Sequence, residues 1–253
     1  METVVLCFPV DDAQVDAIRQ RVGDANVIVS SQERIADDLL EATVFAAMPR
    51  FPCLWDEIVA RGKLKWIQST AAGLDHCLVP SVVDSSIVVS GCSGLFAHQV
   101  AEQTMSLLFG LLRKLPTFFH AQQRHEYNRL PTDELQGKTV GILGFGGNGR
   151  QIARCLLPFD CQIIATDCFA KHEGMDGVEL FDAGETDDVI RRSEILILTL
   201  PLLPETERYV DERRLAALLP HGSYVINVGR GRLLDESALV EALKEGRVAG
   251  GWT

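Results

Sequence analysis

The amino-acid sequence predicts an α/β protein built on parallel sheets that are covered by helices on both faces. Two observations support this class. Short β-rich runs alternate with amphipathic stretches of helical spacing, and the runs are almost continuously apolar rather than alternately polar. The chain has 253 residues, 47% of them hydrophobic and 23% charged, which suffices for one large or two ordinary globular domains.

The N-terminal third contains the first set of predicted elements. Two stretches, DDAQVDAIRQRV (11–22) and PCLWDEIVARG (52–62), have the apolar spacing of helices. The predicted strands of this set are TVVLCFPV (3–10), ANVIVS (25–30), TVFAAM (43–48), LKWIQST (64–70) and SIVVSG (86–91).

A long, largely apolar helix is predicted to follow, from about Leu95 to Phe119, with Pro116 ending or kinking it. A polar stretch leads to a second alternating set. We place a domain boundary near residue 99, between a first domain of residues 1–99 and a second of residues 100–253. The strands of the second set are predicted at 138–144, 161–167, 178–182, 194–200 and 223–229, and from residue 248 onwards.

Composition argues against several classes of function. The net charge of −11 and the pI near 5.0 argue against a nucleic-acid or anionic-membrane surface, because both need clustered Lys and Arg. No apolar run approaches the ~18 residues of a membrane span, and the N-terminus lacks the features of a signal peptide. The seven cysteines are scattered and never spaced C-x-x-C, which indicates reduced thiols in a cytoplasm and no metal site.

A glycine motif follows the first strand of the second set. The stretch VGILGFGGNGRQIARCLL places Gly144, Gly146 and Gly149 in G-x-G-x-x-G spacing between an apolar strand and an amphipathic helix. We expect Gly144 to permit a sharp turn, Gly146 to let a pyrophosphate approach the backbone, and Gly149 to let the helix pack on the strand. The helix N-terminus then offers N–H groups and partial positive charge to the phosphates.

The next strand contributes the second feature of a dinucleotide site. Asp167 ends the run CQIIATD, 18 residues after Gly149. A carboxylate there can accept hydrogen bonds from both adenosine ribose hydroxyls and repels a 2′-phosphate, and the following Cys168 and Phe169 offer no arginine. The sequence therefore predicts NAD as the cofactor in preference to NADP.

Three further stretches make the sequence resemble the D-isomer-specific 2-hydroxyacid dehydrogenase family. They are LKWIQSTAAGLDH (64–76), VAEQTMSLLFGLLRKL (100–115) and residues 196–243, which include TLPLLPET and INVGRGRLLD. The resemblance implies two doubly wound parallel-sheet domains, a flavodoxin-like substrate domain and a Rossmann NAD-binding domain, with a cleft between them. It also implies a nicotinamide cofactor, a small 2-oxo or 2-hydroxy acid as substrate, and a homodimer for the full-length protein.

The resemblance assigns roles to residues at matching positions. It implies that backbone N–H groups around Ala72 and Gly73 hold the substrate carboxylate. It also implies that Arg230 is the catalytic arginine, whose planar fork of donors binds the carboxylate and polarises the neighbouring carbonyl. Arg232, two residues on, is expected to face solvent, and Asp235 is expected to cap a helix.

Further matching positions imply contacts with the cofactor. The stretch TLPLLPET matches the loop that covers the adenosine side, and VG in INVGRG matches backbone near the nicotinamide. In the glycine motif, the GN pair stands where the family often has bulkier residues, so phosphate contacts there are expected to be mostly from backbone. In addition to the residues named above, the expected cofactor-binding positions are Gly147, Asn148, Leu200, Pro201, Thr206, Val228 and Gly229.

The implied reaction also needs a proton donor, for which the family uses a histidine oriented by a glutamate. Both lie on segments that follow the strand beginning VAGGWT, and none of the six histidines present matches the donor in position or context. We therefore expect the chain to be a fragment that lacks this pair, with its NAD-binding domain cut short and without activity of its own.

Alternatives remain open at this point. One is a non-catalytic NAD-binding sensor or corepressor-like module of the same fold, which has less need of the substrate anchors at Arg230 and the Ala72–Gly73 loop. Another is a related enzyme such as a formate dehydrogenase. The sequence does not identify the acid: glyoxylate, hydroxypyruvate, 3-phosphoglycerate and longer 2-oxo acids all remain candidates.

Overall fold

A computed structural model describes residues 1–47, 55–169, 174–218 and 222–253 of the chain. The chain divides into two units, Met1–Leu95 and Phe96–Thr253. Part of the third predicted strand (Met48), the start of the predicted helix at 52–62, and two of the histidines (His172 and His221) lie outside the described residues.

The first unit is a parallel sheet with helices between its strands. The strands are β1 Thr3–Cys7, β2 Asn26–Val29, β3 Val44–Ala47, β4 Trp66–Ser69 and β5 Val88–Ser90. The helices are α1 Asp12–Val22, α2 Ile35–Leu39, α3 Trp55–Arg61 and α4 Pro80–Val83. Neighbouring strands pair in parallel in the order β2-β1-β3-β4-β5, which is the order of a flavodoxin-like doubly wound sheet.

The second unit is a larger parallel sheet. Its strands are β6 Thr139–Leu143, β7 Gln162–Asp167, β8 Val178–Asp182, β9 Ile195–Leu198, β10 Ser223–Asn227 and β11 Val248–Trp252. Its helices are α5 Ala97–Leu112, α6 Leu115–Gln123, α7 Gly147–Leu156, α8 Thr186–Arg192, α9 Glu212–Ala217 and α10 Glu236–Lys244. The strand order β11-β10-β9-β6-β7-β8 is that of a Rossmann sheet. β6, β7 and β8 form one half and β9, β10 and β11 the other, and the two halves meet where β6 pairs with β9.

Alternate residues of the central strands in the second unit pack against different helices. Ile195 and Ile197 belong to one buried cluster with residues of α5 and α7, whereas Leu196 and Leu198 belong to another with residues of α8, α9 and α10. Because successive side chains of a strand point to opposite faces, helices cover both faces of this sheet. This coverage explains why its strands read as continuous apolar runs.

The predicted α/β class is confirmed, and a strand is present within each of the predicted strand segments. The single long helix predicted from Leu95 to Phe119 is wrong. α5 ends at Leu112, Lys114 adopts a left-handed conformation with φ 51°, and α6 begins at Leu115. The ring of Pro116 would clash with the carbonyl four residues earlier, that of Leu112, so the break precedes the proline. That carbonyl instead accepts the backbone N–H of Asp133 at 3.0 Å.

None of the helices in the described ranges is long and apolar enough to cross a membrane.

Candidate functional site

The residues predicted to bind the cofactor follow four neighbouring strands of the second sheet. The glycine motif follows β6, Asp167 ends β7, the segment 199–206 follows β9, and the segment 228–230 follows β10. Because these strands are parallel neighbours, their carboxyl ends share one edge of the sheet. The edge includes the β6–β9 pair, where the direction of winding reverses and where ligands of doubly wound sheets bind.

The turn after β6 requires glycine at two of its positions. Gly144 has φ 94°, in the left-handed region that side chains disfavour, and its N–H donates to the Thr166 carbonyl at 2.9 Å. A Cβ on Gly149 would lie only 2.2 Å from the Gly144 carbonyl oxygen. The first turn of α7 therefore rests directly on the turn that precedes it, as expected of the third glycine in such a motif.

The middle of the glycine motif is open. A Cβ on Gly146 would meet no atom of the described residues within 4 Å, and Gly146 and Gly147 are exposed while Asn148 is half-buried. No side-chain hydrogen bond caps the start of α7 at Gly147. The first N–H groups of a helix have no partner within it, so this terminus can receive an anion through backbone donors.

Asp167 is hydrogen-bonded to the glycine turn. One carboxylate oxygen accepts the Phe145 N–H at 2.7 Å, and the other accepts the Phe169 N–H at 2.9 Å. Asp167 is half-buried. A carboxylate has about four acceptor positions, so two remain for ribose hydroxyls after these bonds are made.

The segment that follows β9 contacts both neighbouring turns. The Leu200 backbone nitrogen lies 3.1 Å from the ideal Cβ position of Gly144, and the Leu200 carbonyl oxygen lies 2.8 Å from that of Gly229. Beyond it, the Thr206 hydroxyl accepts the Leu203 N–H and donates to the Pro201 carbonyl, both at 2.7 Å. Thr206 thus shapes the loop, and its contact with a cofactor stays a prediction.

The segment that follows β10 is shaped by a buried amide. Asn227, 8% exposed, donates from Nδ2 to the Arg230 carbonyl at 2.8 Å and accepts the Gly229 N–H at 3.1 Å. The Val228 N–H donates to the Leu198 carbonyl at 3.1 Å, which ties this segment to β9. The Arg230 guanidinium donates to the Gly229 carbonyl at 3.0 Å.

The two neighbouring arginines differ in their surroundings. The Arg232 side chain is 69% exposed and pairs with Glu207 at 2.6 Å, so it faces solvent as expected, whereas Arg230 is half-buried. Asp235 caps α10, as expected, by accepting the Ala238 N–H at 3.1 Å. Arg232 and Asp235 therefore each have a partner within the second unit.

The loop predicted to hold a carboxylate follows β4 in the first unit. Ser69, 1% exposed, accepts the Ala71 N–H at 3.1 Å, and its hydroxyl lies 3.3 Å from Nε2 of His76. The backbone N–H groups of Ala72 and Gly73 donate to no acceptor among the described residues, so they can bind an anion.

The Cys77 thiol, which follows this loop, is not reactive at neutral pH. Cys77 donates its backbone N–H to the Leu74 carbonyl at 2.8 Å and is buried. Burial, with a smaller contribution from the Asp75 carboxylate, raises the pKa of the Cys77 thiol to about 11. At neutral pH the group is therefore a protonated thiol and not a nucleophile.

The sequence analysis missed three residues that hold these loops in place: Ser69, Thr199 and Asn227. Each lies at the end of an apolar strand or directly after it, where a polar side chain can reach the neighbouring turn. A single polar residue closing an apolar run is the signal that could have identified them. Their partners could not be read from the same signal, because the Thr199 hydroxyl bonds to a carbonyl 55 residues away.

Comparison with known proteins gives the following matches. The model of the D-isomer specific 2-hydroxyacid dehydrogenase NAD-binding domain matches residues 105–252. D-3-phosphoglycerate dehydrogenase of Methanocaldococcus jannaschii is 31% identical over 245 residues, which cover 94% of this chain and 46% of that protein. The chain thus spans about half the length of that relative. Hydroxypyruvate reductase of Thermotoga maritima is 30% identical over 244 residues, covering 94% of this chain and 78% of that protein.

A solved structure agrees with these sequence matches. The D-isomer specific 2-hydroxyacid dehydrogenase of Xanthobacter autotrophicus Py2, in complex with NADPH and MES, is similar with a TM-score of 0.79 and 25% identity. The match covers 99% of this chain and 79% of that chain, and so includes residues of both units.

Proposed function

The chain belongs to the D-isomer-specific 2-hydroxyacid dehydrogenase family, and we propose that it serves an NAD-dependent interconversion of a 2-oxo acid and a D-2-hydroxy acid. The observation that carries the proposal is the glycine turn of residues 144–149 with Asp167 hydrogen-bonded to it at the carboxyl edge of the sheet. When bound, the nicotinamide supplies or accepts the hydride. The protein's own residues hold the dinucleotide and anchor the acid.

Phosphate binding is assigned to the start of α7. Gly146, Gly147 and Asn148 present backbone donors without a capping side chain, and the helix dipole adds positive charge there. Leu200, Pro201 and Thr206 are proposed to cover the adenosine side, and Val228 and Gly229 to lie against the nicotinamide.

NAD is proposed over NADP because of the charge at residue 167. The Xanthobacter structure is a complex with NADPH, so the fold does not by itself carry the preference. A 2′-phosphate beside the Asp167 carboxylate would bring like charges together, whereas ribose hydroxyls can donate to it.

The acid is proposed to be anchored through its carboxylate. Arg230 offers a planar fork of donors that can bind the carboxylate and polarise the adjacent carbonyl, which favours hydride addition to the carbonyl carbon. For the first unit, the family resemblance implies that the N–H groups of Ala72 and Gly73, which donate to no acceptor among the described residues, bind the substrate carboxylate. The proton that the carbonyl oxygen takes up needs a donor, and no histidine of the sequence matches the family's donor.

Titration with NAD⁺ and NADP⁺ by calorimetry tests the cofactor assignment. Native chain is expected to bind NAD⁺ at least tenfold more tightly than NADP⁺. Asp167→Asn retains an acceptor for the Phe145 N–H but removes the negative charge. It should therefore weaken NAD⁺ binding about tenfold and reduce the ratio between the affinities for NAD⁺ and NADP⁺. Asp176→Asn changes an exposed carboxylate of the same unit and should leave both affinities unchanged. Absence of NAD⁺ binding by the native chain would reject the proposal.

A second experiment separates the enzyme from the non-catalytic sensor. The full-length protein would be assayed for NADH oxidation with a panel of 2-oxo acids, with Arg230→Ala and the exposed Arg232→Ala as a matched pair. An enzyme should lose orders of magnitude in kcat/KM with the first substitution only. Dinucleotide binding without turnover on any acid would favour the sensor. Light scattering on the same protein tests the proposed homodimer.

A further inference from the structure

The peptide unit between Gly144 and Phe145 is held from both sides by side chains at the ends of two other strands: Asp167 is the last residue of β7, and Thr199 directly follows β9. The Thr199 hydroxyl lies 2.7 Å from the Gly144 carbonyl oxygen and donates to it. The N–H of the same peptide, that of Phe145, donates to Asp167 at 2.7 Å. In a trans peptide the C=O and N–H point in opposite directions, so the two bonds fix one orientation of the unit. A flipped peptide would place its carbonyl oxygen against the Asp167 carboxylate.

The carbonyl that Thr199 holds is also the support of α7. A Cβ on Gly149 would lie 2.2 Å from the Gly144 carbonyl oxygen and 3.3 Å from the Thr199 hydroxyl oxygen. Any displacement of this carbonyl towards the helix would therefore push the first turn of α7 away. That first turn carries the N–H groups assigned to the phosphates.

We propose that Thr199 is a positioning residue for dinucleotide binding, whose hydroxyl sets the Gly144–Phe145 peptide and, through it, the phosphate-binding start of α7. The inference rests on the proposed dinucleotide site and adds to it a residue that contacts the glycine turn and not the ligand. Asp167 acts on the other side of the same peptide, so the residue that receives the ribose and the residue that sets the phosphate turn are linked through one peptide plane.

Three substitutions at Thr199 separate the hydrogen bond from the shape of the side chain. Serine retains the hydroxyl. Alanine removes it and leaves space. Valine replaces it with a methyl group, and since carbon–oxygen contacts are rarely closer than about 3.3 Å, that methyl cannot occupy the 2.7 Å position without moving the carbonyl.

The control is Thr104→Val. The Thr104 hydroxyl donates to the Val100 carbonyl at 2.7 Å and Thr104 is fully buried, but it lies within α5. This variant therefore loses a hydroxyl bond of the same length in the same unit without touching the glycine turn. It reports how much a lost buried hydroxyl lowers Tm by itself.

The experiment measures NADH affinity by fluorescence titration and Tm by calorimetry for the full chain and each variant. A net hydrogen bond of ordinary strength corresponds to a three- to tenfold change in Kd, so Thr199→Ala should raise Kd by roughly that factor. Thr199→Val should raise it roughly tenfold or more, while Thr199→Ser and Thr104→Val should stay within about twofold of the native chain.

Each outcome decides the proposal. Native-like affinity in both folded Thr199→Ala and Thr199→Val, whatever their Tm, would overturn it and leave Thr199 a purely structural residue. Equal loss in Thr199→Ser and Thr199→Ala would also overturn it, because the hydroxyl would then not be the acting group. If the native chain itself fails to bind NADH, the proposed function fails first and the inference falls with it. Should Thr199→Val not fold, the alanine and serine variants give the same decision.

Discussion

The two sheets share parallel strand–helix construction but differ in how their central strands are buried. In the second unit, β9 and β10 are buried at every residue, and one apolar cluster lies on each face of the sheet. In the first unit, β3 alternates half-buried with buried residues, and β4 begins with an exposed residue and has a half-buried one between its two buried residues. The described buried residues of this unit form a single apolar cluster. The strands that precede the glycine turn are therefore packed against apolar side chains on both faces of their sheet. The strand that precedes the loop after β4, β4 itself, is packed mainly on one face.

The largest combined effect on stability and NADH affinity is expected from a side chain placed where α7 closely approaches the glycine turn. Gly149→Ala would place a Cβ 2.2 Å from a backbone oxygen in a doubly covered region, where neither partner can move. We expect about 3 kcal/mol of lost stability and at least a hundredfold loss of NADH affinity, measured by denaturant unfolding and fluorescence titration.

The matched position in the first unit is Gly91. Its added Cβ would meet the end of the Leu74 side chain at 2.8 Å and the Ala71 carbonyl at 3.0 Å. Because the leucine can rotate away, Gly91→Ala should cost about 1 kcal/mol and leave NADH affinity unchanged. Equal losses of stability and of NADH affinity in the two variants would contradict the idea that the glycine turn is packed more rigidly than the loop after β4.

Core truncation measures the difference in burial directly. Ile197 on β9 is 0% exposed, whereas Ile28 on β2 is partly buried at the edge of the first sheet. Ile197→Ala should lower the free energy of unfolding by about 2–5 kcal/mol, and Ile28→Ala by about 1 kcal/mol or less. The effect at Ile28 is smaller because solvent can fill the space that its side chain leaves. Denaturant midpoints check both values, and a larger cost at Ile28 would reverse the comparison.

Buried polar residues that shape the two loops give a smaller contrast. In Asn227→Asp, the new carboxylate cannot donate to the Arg230 carbonyl and repels it, so we expect a loss of about 2 kcal/mol and weaker NADH binding. Ser69→Ala removes the acceptor of the Ala71 N–H and should cost about 1 kcal/mol with unchanged NADH affinity. If Ser69→Ala weakened NADH binding as much as Asn227→Asp, the two loops could not be assigned separate ligands.

Surface ion pairs should give the smallest effects. Hydrogen bonds from Arg213 and Arg214 lower the pKa of Asp187 to about 2 from the ordinary 3.8. The lowered pKa means that the charged form stabilises the fold. This contribution is complete above about pH 4 and is lost as the pH falls towards 2. Asp187 is about one-third exposed, so screening by solvent limits its contribution to the free energy of unfolding to roughly 1 kcal/mol or less.

Urea unfolding between pH 5 and pH 3 checks this prediction. Asp187→Asn should flatten the fall of stability with decreasing pH. The matched change in the first unit is Glu2→Gln, which breaks an exposed ion pair with Lys65 and should not change the pH dependence of stability measurably. An unchanged slope in Asp187→Asn would assign the acid sensitivity to other carboxylates.

The strands were predictable because parallel strands covered on both faces are short continuous apolar runs, and each such run proved to be a strand. The helix break was misplaced for a local reason. The prediction placed the end or kink at Pro116 itself, but a proline acts on the carbonyl four residues before it, so the interruption lies at Lys114. α6 then continues to Gln123, beyond the predicted helix end at Phe119 and into the polar stretch that follows it.

The sequence by itself determined the class of fold, the order of strands and helices and the glycine turn, because apolar periodicity and the backbone freedom of glycine are local properties. It also determined the cap at Asp235 and the exposure of Arg232. Only the tertiary structure decided which side chains hold the turns. The bonds of Thr199 and Asp167 to the Gly144–Phe145 peptide span 55 and 22 residues, and their existence depends on parallel strands ending at a common edge.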